Sequence, residues 1–345
     1  MVWVLAAAAG LWILGRVLGA PVSARWMMVA LLYLAVLALL LIVPEGHPLQ
    51  RSLGGSYGEW LVLGLLALAV FGYTQVLGRL KARAPDHAPK VAPGSFAPGE
   101  IDRYARHIIL REIGGPGQKA LKQAKVLVIG AGGLGSPALM YLAAAGVGRI
   151  GVIDADVVES TNLQRQIIHT DARLGMPKVF SAKTAMKALN PYVDVRPYNR
   201  RLTEEIAADL IGEYDLVLDG TDNFDTRYLV NRICAGEGKP LIAAALTQWE
   251  GQISLYDPAN GTPCYQCIFP QAPAPELAPS CAEAGVLGPL PGVVGSMMAV
   301  EAVKQITGAG STLAGQMLIY DALYGETRTI ALKKRADCPV CGERA

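Results

Sequence analysis

The feature that most constrains the fold is a glycine-rich turn that follows a short apolar run. The run Val126–Ile129 is rich in β-branched side chains, which favours a β-strand. Four glycines follow it closely: Gly130, Gly132, Gly133 and Gly135. Ser136 and Pro137 then predict the start of a helix, as its N-cap and first-turn residue. A strand, a glycine turn and a helix N-terminus in this order present backbone N–H groups to phosphate, so we expect a phosphate-bearing ligand here.

The glycine spacing does not by itself identify the nucleotide. Gly130, Gly132 and Gly135 also match the G-x-G-x-x-G pattern of dinucleotide-binding proteins. Asp154 lies at the predicted end of the second strand, about 24 residues after Gly130, which is near the spacing at which a carboxylate binds a ribose hydroxyl. Three interpretations remain at this point: an ATP-binding enzyme, a nicotinamide-dependent oxidoreductase and a tight turn that binds nothing.

Strand-like and helix-like segments alternate from about residue 100 onward. The predicted strands are 125–129, 149–153, 193–198, 215–219 and 241–245, and the predicted helices are 137–145, 178–189, 204–211 and 223–235. This alternation indicates βαβ units and a mostly parallel sheet. Three later strands are predicted to extend that sheet in antiparallel pairs, with one helix between them: 252–256, 316–320 and 328–332, with helix 293–306. The predicted fold class is therefore α/β, with a Rossmann-like sheet.

The first 80 residues differ in composition from the rest of the chain. The chain is 52% hydrophobic and only 17% charged, and the apolar excess lies in this region. Three segments there are predicted to be transmembrane helices: 2–20, 26–43 and 60–77. The second carries no charge and spans roughly 27 Å at about 1.5 Å per residue, close to the thickness of a bilayer core. A signal peptide is the other interpretation of the first segment, but that segment lacks a basic start.

Basic residues predict the orientation of these spans. With three spans, Arg16 and Arg25 share a side with Arg79, Lys81 and Arg83, whereas the loop between the second and third spans has one Arg and two Glu. The positive-inside rule then places the remainder of the chain in the cytoplasm, as part of a multi-pass protein of the inner (cytoplasmic) membrane. The predicted organisation is a transmembrane region, a Pro/Ala-rich linker and one α/β domain, at residues 1–78, 79–99 and 100–345.

The charge balance bears on possible partners. The formal net charge is +2, which argues against an extended nucleic-acid-binding surface. Aromatic residues make up 7% of the chain and do not alternate with basic runs, so stacking platforms for single strands are not expected either. We therefore expect no nucleic-acid partner.

Polar residues cluster just past Asp154, where a dehydrogenase has no need of them. They are Asn162, Arg165 and Gln166. Lys178 opens the next predicted helix, and Asp222 follows the strand 215–219 at its carboxyl end, where open α/β sheets bind ligands. In order and spacing these motifs resemble the adenylyltransferases that activate ubiquitin-like sulfur carriers, the MoeB/ThiF/HesA group. The resemblance covers residues 100–345, so the hydrophobic first third lies outside it.

The resemblance implies a reaction and a role for each residue. In this family, the C-terminal glycine carboxylate of a carrier protein ending in Gly-Gly attacks the α-phosphate of ATP, forming an acyl-adenylate and releasing pyrophosphate. By matching position, Arg165 and Lys178 would bind the phosphates, and Asp222 would hold Mg²⁺. Asp154 would bind the ribose. The residues expected around the nucleotide are Asn162 and Gln166, together with the glycine turn.

The resemblance also implies a homodimer. Arg106 matches an arginine that the family inserts into the active site of its partner subunit. The chain departs from the usual family pattern at His107, where Gln is common, and at Thr161, where Ser is common. Neither change removes a charge, so the implied roles stand.

Four of the six cysteines form two Cys-x-x-Cys pairs: Cys264 with Cys267, and Cys338 with Cys341. Four thiolates in two such pairs suit tetrahedral Zn²⁺, and a cytoplasmic location disfavours disulfides. The long gap between the pairs implies that zinc would tie the C-terminal segment back onto the domain. A site closed by four sulfurs leaves no open position, so its predicted role is structural, with redox pairing as the alternative.

The other two cysteines are predicted to differ from each other. Cys281 follows a Pro-rich stretch, 270–280, that is not expected to pack, so its thiol could reach a bound acyl-adenylate. It resembles a cysteine with which some family members form an acyl disulfide or persulfide, and which others carry without needing it, so its function stays open. Cys234 is predicted to lie in the core.

Three alternatives remain beside a sulfur-carrier adenylyltransferase. One is the nicotinamide-dependent oxidoreductase, which offers no role for Arg165, Lys178 and Asp222. The second is a tRNA-modifying dehydratase of the same family, against which the cysteine pairs and the near-neutral charge weigh. The third is a membrane scaffold that keeps the fold only for binding. The sequence does not distinguish molybdopterin, thiamine or other sulfur-transfer pathways.

Overall fold

The computed structural model describes residues 2–44, 47–83, 95–273 and 284–342. It divides into two compact units, Met1–His87 and Ala88–Ala345, and the boundary falls within the predicted linker 79–99. Cys281 lies outside the described residues, so its predicted role is not addressed by the fold.

The first unit is helical. Its helices are α1 (Val2–Val17), α2 (Val22–Ile42), α3 (Pro48–Leu53) and α4 (Tyr57–Arg83). Within the described residues, two segments are long and apolar enough to cross a membrane: α2 and the part of α4 from Tyr57 to Val76. Only 11% and 6% of their apolar windows are buried, so their side chains are not packed as a soluble core would be. Helix α1 is apolar but shorter, and its predicted span stays a prediction.

Helices α2 and α4 meet at a specific contact. The Tyr33 hydroxyl donates to the Trp60 carbonyl at 2.6 Å. A Cβ placed on Gly64 would lie 2.0 Å from that hydroxyl, so the tyrosine occupies space that only glycine leaves open. A capping box begins α4, because Glu59 accepts from the Ser56 backbone N–H at 3.0 Å and Ser56 Oγ accepts from the Glu59 N–H at 3.4 Å.

The second unit is the α/β domain. Its strands are β1 (Lys125–Ile129), β2 (Arg149–Ile153), β3 (Asp194–Tyr198), β4 (Leu216–Asp219), β5 (Leu241–Leu246), β6 (Glu250–Tyr256), β7 (Gln316–Asp321) and β8 (Glu326–Ala331). Its helices are α5 (Glu100–Ile108), α6 (Gly114–Gln123), α7 (Gly135–Ala145), α8 (Lys178–Leu189), α9 (Glu204–Gly212), α10 (Phe224–Gly236), α11 (Tyr265–Ile268) and α12 (Pro289–Thr307). The predicted strands and helices are thus all present, with ends shifted by a few residues.

One eight-stranded sheet organises this unit, in the order β3-β2-β1-β4-β5-β6-β7-β8. The pairs from β3 to β5 are parallel, and β6, β7 and β8 add antiparallel pairs. Both parts of the fold-class prediction are confirmed. Strand β1 has β2 on one side and β4 on the other, so the chain order reverses beside it. Such a reversal opens a crevice at the carboxyl ends of the strands.

Helices cover both faces of the sheet because the strand side chains alternate. Val126 and Val128 of β1 pack into one core with α7, α8 and α12, whereas Leu127 and Ile129 pack into the other with α9 and α10. Cys234 lies in the second core, as predicted.

The start of α7 differs from its prediction. The helix begins at Gly135 with Leu134 as its N-cap, two residues earlier than the predicted Ser136 cap. Ser136 instead donates its hydroxyl to the Gly132 carbonyl at 2.6 Å, and its N–H donates to the same oxygen at 2.9 Å. The glycine turn therefore folds directly into the first helical turn.

Candidate active site at the carboxyl ends of the strands

A large cavity lies at the reversal point beside β1, with a volume of about 1550 Å³. Most of the predicted site residues line it: Gly130, Gly132, Gly133, Asp154, Arg165, Gln166, Lys178 and Asp222. Three others do not: Gly135, Asn162 and Arg106. Residues far apart in sequence thus converge, because parallel strands deliver their following loops to one edge of the sheet.

The glycine turn requires glycine for two separate reasons. Gly130 has φ +91°, a left-handed conformation that side chains disfavour. A Cβ on Gly135 would lie 2.0 Å from the Gly130 carbonyl oxygen, so Gly135 serves close packing and does not face the cavity. No hydrogen bond is recorded in the described part of the chain for the N–H groups of Gly132 and Gly133. These two cavity-lining N–H groups are therefore available to a ligand.

Asp154 has a structural role that the sequence did not indicate. Its Oδ2 accepts the Ala131 N–H at 2.8 Å, and its Oδ1 accepts the Asp156 N–H at 2.8 Å. The carboxylate thereby holds the glycine turn against the end of β2. Each carboxylate oxygen has further acceptor capacity, so a contact to a ribose hydroxyl stays a prediction.

Lys178 is held at the cavity wall by a partner that the sequence analysis missed. Its Nζ donates to Asp156 Oδ2 at 2.8 Å, and only 6% of the lysine side chain is exposed while 63% of the Asp156 side chain is. The Lys178 ammonium thus lies at the cavity wall beside one exposed carboxylate. Lys178 is also the first residue of α8, so its ammonium adds to the partial positive charge of the helix N-terminus in attracting an anion.

Arg165 is oriented by Asn162. The guanidinium donates to Asn162 Oδ1 at 2.8 Å, and a Cβ on Gly133 would lie 3.8 Å from Arg165 Cγ. The arginine therefore rests against the glycine turn, and Asn162 supports it from outside the cavity lining. Gln166 is buried, and its Oε1 has no hydrogen-bond partner in the described part of the chain. A buried acceptor without a partner is costly, so this oxygen is suited to a ligand.

Asp222 is exposed in the loop after β4 and lines the cavity. Asn223, the next residue, is the N-cap of α10 and accepts the Thr226 N–H at 2.9 Å. No hydrogen bond or ion pair is recorded for the Asp222 carboxylate in the described residues. Its carboxylate oxygens can therefore accept a hard cation beside phosphate.

Arg227 is a buried cation that the sequence analysis did not identify. It lines the cavity, is 5% exposed, and donates to the carbonyls of Thr221 and Ala244, the latter at 2.7 Å. It joins the loop before α10 to β5. A signal was present, since Arg227 lies three and seven residues before the apolar Val230 and Cys234, on the buried stripe of the helix.

Arg106 lies exposed on α5, and no partner is recorded for it among the described residues. It does not line the cavity of its own chain. This position is compatible with a role in a partner subunit, which stays a prediction.

The cysteine cluster forms as predicted. The sulfurs of the two pairs lie within 4.8 Å of one another: Cys264, Cys267, Cys338 and Cys341. Individual Sγ separations are 3.6 Å between Cys264 and Cys338 and 3.4 Å between Cys267 and Cys341. Tetrahedral zinc with Zn–S of about 2.3 Å requires sulfurs about 3.8 Å apart, so the cluster fits that ion. Burial raises the pKa of the Cys264 thiol, which a bound cation would offset.

Helix α10 connects the cluster to the cavity. Asn231 accepts the Tyr265 N–H at 2.8 Å and donates to Cys264 Sγ at 3.7 Å. Arg227, one turn earlier on the same helix, contacts the cavity loops. Tyr265 lies between the first two cysteines and also lines the cavity. One buried helix face thus touches both sites.

His169 is another residue that the sequence analysis missed. It is 5% exposed, and its ring nitrogens lie 2.9 Å from the Ala131 carbonyl and 2.9 Å from Ser181 Oγ. Burial lowers its pKa below the ordinary value for histidine. No local pattern marks it, because Ala131 lies 38 residues away in sequence.

Comparison with known proteins identifies the class. A model of the ThiF family matches residues 104–340, and the chain belongs to this family. The match excludes the helical first unit. The predicted resemblance to the MoeB/ThiF/HesA group is therefore confirmed.

Individual relatives agree with this assignment. The chain is 50% identical over 248 residues to the sulfur carrier protein adenylyltransferase of Thermus thermophilus, covering 71% of this chain and 92% of that one. It is 47% identical to the SAMP-activating enzyme E1 of Haloferax volcanii, over 71% of this chain and 90% of the relative. Against adenylyltransferase and sulfurtransferase MOCS3 of Bos taurus the identity is 46%, and the match spans 77% of this chain but only 59% of the relative.

Solved structures confirm the fold. E. coli MccB with ATP superposes with a TM-score of 0.62 at 24% identity, over 70% of this chain and 75% of that one. PaaA superposes with a TM-score of 0.61 at 22% identity, over 77% and 83% of the respective chains.

Proposed function

We propose that this protein is an ATP-dependent adenylyltransferase that joins AMP to the C-terminal glycine carboxylate of a ubiquitin-like sulfur carrier. The observation that carries the proposal is the convergence on one cavity of two free glycine N–H groups, the cations Arg165 and Lys178, and the unpartnered carboxylate of Asp222. Relatives at 50% and 47% identity are named for sulfur carrier adenylation and for SAMP activation, which supports the same acceptor here.

The proposed step needs charge stabilisation more than acid–base chemistry. A carboxylate oxygen of the carrier forms a bond to the α-phosphorus of ATP, and the bond from that phosphorus to the bridging oxygen breaks. The products are an acyl-adenylate and pyrophosphate, and no proton has to move. Because two anions approach and charge then grows on the leaving group, Arg165 and Lys178 supply the main stabilisation. Mg²⁺ held by Asp222 would neutralise phosphate charge in the same place.

The size of the cavity supports a macromolecular acceptor. Its volume of about 1550 Å³ exceeds the roughly 300–1,000 Å³ of a typical small-molecule pocket. The space beyond the glycine turn is lined by the loop after β3 and by residues near β6. We assign this part to the extended Gly-Gly tail of the carrier. An oxidoreductase gives no role to the clustered cations, and the similar proteins named above favour the carrier over a tRNA substrate.

Three further elements belong to the proposal. Arg106 is assigned to the active site of a partner subunit in a homodimer. The four clustered cysteines are assigned to a structural zinc ion. Cys281 is assigned to sulfur transfer, and a fully active Cys281→Ala variant would remove that role while leaving adenylation intact.

The helical unit is proposed to anchor the enzyme in the inner membrane as a multi-pass segment with its α/β domain in the cytoplasm. The exposed apolar faces of α2 and α4 support this, because few of their side chains are buried. If α2 and α4 both cross the membrane, the chain crosses it twice after Arg25. Two crossings return the chain to the side on which it started, so Arg25 and the α/β domain would lie on the same side of the membrane. Extraction of the full chain by alkaline carbonate would contradict the anchor.

The central experiment is ATP–pyrophosphate exchange by the full-length protein in detergent. We expect exchange that depends on a carrier ending in Gly-Gly and that NAD does not affect. The Arg165→Ala variant should lose about 10²–10³-fold in rate. Arg196→Ala is the matched control, since Arg196 is half-exposed on β3, pairs with Asp194 and does not line the cavity. Exchange unaltered by Arg165→Ala would favour the scaffold interpretation.

A further inference from the structure

The His169 imidazole is fully committed by its two contacts. A backbone carbonyl only accepts hydrogen bonds, so the ring nitrogen facing the Ala131 carbonyl, Nε2, must carry the proton. Nδ1 then accepts from the Ser181 hydroxyl at 2.9 Å. The two partners thus select one tautomer of a buried ring.

The contact to Ala131 has a geometric consequence one residue further on. The Ala131 C=O and the Gly132 N–H belong to one peptide group, and no cis peptide bond is present in the described chain. In a trans peptide these two groups point in opposite directions. Holding the carbonyl toward His169 therefore directs the Gly132 N–H away from it. Gly132 lines the cavity, and its N–H is one of the two without a recorded partner.

Both backbone groups of Ala131 are held by hydrogen bonds. Asp154 Oδ2 accepts the Ala131 N–H at 2.8 Å, while His169 binds the carbonyl at 2.9 Å. Ser181, the other partner of the imidazole, is on α8, three residues after Lys178. The ring therefore links the glycine turn to the helix that begins at the phosphate-binding lysine.

The surroundings of the ring favour its neutral form. Burial lowers the pKa of His169 most strongly, and the charges of Lys178 and Arg173 lower it further, against raising contributions from the Ala131 bond and Asp154. These groups come from α8, from the loop before it and from the end of β2. A proton on Nδ1 would reverse the direction of the Ser181 hydrogen bond and add a cation beside Lys178.

We propose that His169 is a positioning residue of the adenylation site, whose Nε2–H holds the Ala131 carbonyl and so aims the Gly132 N–H at a phosphate of ATP. This role rests on the proposed function, because it presumes that ATP occupies the cavity. It does not require His169 to touch the nucleotide.

Three variants of the full-length protein test the role. The amide nitrogen of Gln overlays Nε2 of histidine and that of Asn overlays Nδ1, so His169→Gln can retain the bond to Ala131 and His169→Asn cannot. The readouts are the Kd for ATP by titration and the KM and kcat for ATP in carrier-dependent exchange. We expect His169→Asn to raise Kd and KM about ten- to hundred-fold with a smaller change in kcat. His169→Gln should stay within about threefold of the wild type. Ser181→Ala, which removes only the Nδ1 contact, should shift KM by a few-fold and serves if His169→Asn does not fold.

A purely structural role predicts a different pattern. Asn190→Ala is the control, because Asn190 is fully buried, binds Tyr104 and the Ala143 carbonyl, and lies away from the cavity. It should reduce the active fraction, and hence kcat, without moving KM. Equal KM values for His169→Asn and the wild type, or equal losses in His169→Gln and His169→Asn, would overturn the inference. If the wild type binds ATP but shows no carrier-dependent exchange, the proposed function fails while the Kd values still decide the role of His169.

Discussion

The nucleotide cavity and the cysteine cluster both contact helix α10, yet their polar groups are in opposite states. In the cavity, the N–H groups of Gly132 and Gly133 and the Oε1 of Gln166 have no recorded partner in the described chain. In the cluster, four sulfurs already converge within 4.8 Å of one another. Open, unpaired groups suit a ligand that must bind and leave, whereas a closed set suits an ion that stays. We therefore assign the reaction to the cavity and a stabilising role to the cysteine cluster, although both contact α10.

The largest expected effect is on the cysteine cluster. Cys338→Ser should abolish zinc binding, which we expect at one ion per chain, because three sulfurs leave the coordination incomplete. Structural zinc contributes several kcal/mol or more to folding, so the melting temperature should fall by about 10 °C or more. Metal analysis and thermal unfolding of the full chain measure both. Cys234→Ser, a buried cysteine outside the cluster, is the control and should retain zinc. Zinc-free protein with unchanged stability would contradict the structural role.

A change in the nucleotide cavity should lower the reaction rate and leave the stability of the fold unchanged. Lys178→Ala removes a cation from the cavity wall, and we expect kcat/KM to fall about 10²–10³-fold with one zinc per chain retained. Exchange kinetics and metal analysis on the same sample give the answer. Lys183→Ala, on the same helix but outside the cavity, controls for loss of a lysine from α8. A large loss of zinc in Lys178→Ala would show that the two sites are not separate in this sense.

Asn231 tests how strongly the two sites are connected. Asn231→Ala leaves the Tyr265 N–H and Cys264 Sγ without their partner, and the loss of buried hydrogen bonds should cost about 1–3 kcal/mol. We expect faster removal of zinc by a chelator and a rise of a few-fold in KM for ATP. The control is Asn260→Ala, whose amide binds Asp257 and which neither lines the cavity nor belongs to the cysteine cluster. Faster zinc release with an unchanged KM would mean that α10 does not connect them.

The smallest expected effect is on the pH dependence of stability. The folded-state pKa of His169 is lowered, whereas the unfolded value is about 6.5. Below that pH the unfolded chain binds a proton that the folded chain resists, so stability is fully present above about pH 6.5 and falls as the pH drops, by at most about 1.4 kcal/mol per unit. Between pH 7.5 and 5.5, the melting temperature of the wild type should therefore fall more than that of His169→Gln. Parallel curves for the two proteins would show that His169 does not titrate differently on unfolding.

Local patterns predicted most of the scaffold. Alternation of β-branched runs with helical segments placed the eight strands of the α/β unit and five of its eight described α-helices, because residues close in sequence set the secondary structure. Helices α5, α6 and α11 were not predicted. The glycine turn and the Cys-x-x-Cys pairs were also visible, since their chemistry depends on short spacings. The predicted start of α7 was wrong by two residues. Ser136 does not cap the helix, because its hydroxyl donates to the Gly132 carbonyl.

The groups that orient the site were not visible in this way. His169 binds the Ala131 carbonyl from 38 residues away, and Asp156 binds Lys178 from 22 residues away. Which residues of a loop meet is decided by how parallel strands order themselves in the sheet, and that order is a property of the whole fold. Sequence was enough to name the residue types that an adenylation site needs. Packing alone decided which neighbours hold them in place, because a hydrogen bond between distant residues leaves no periodic trace in the chain.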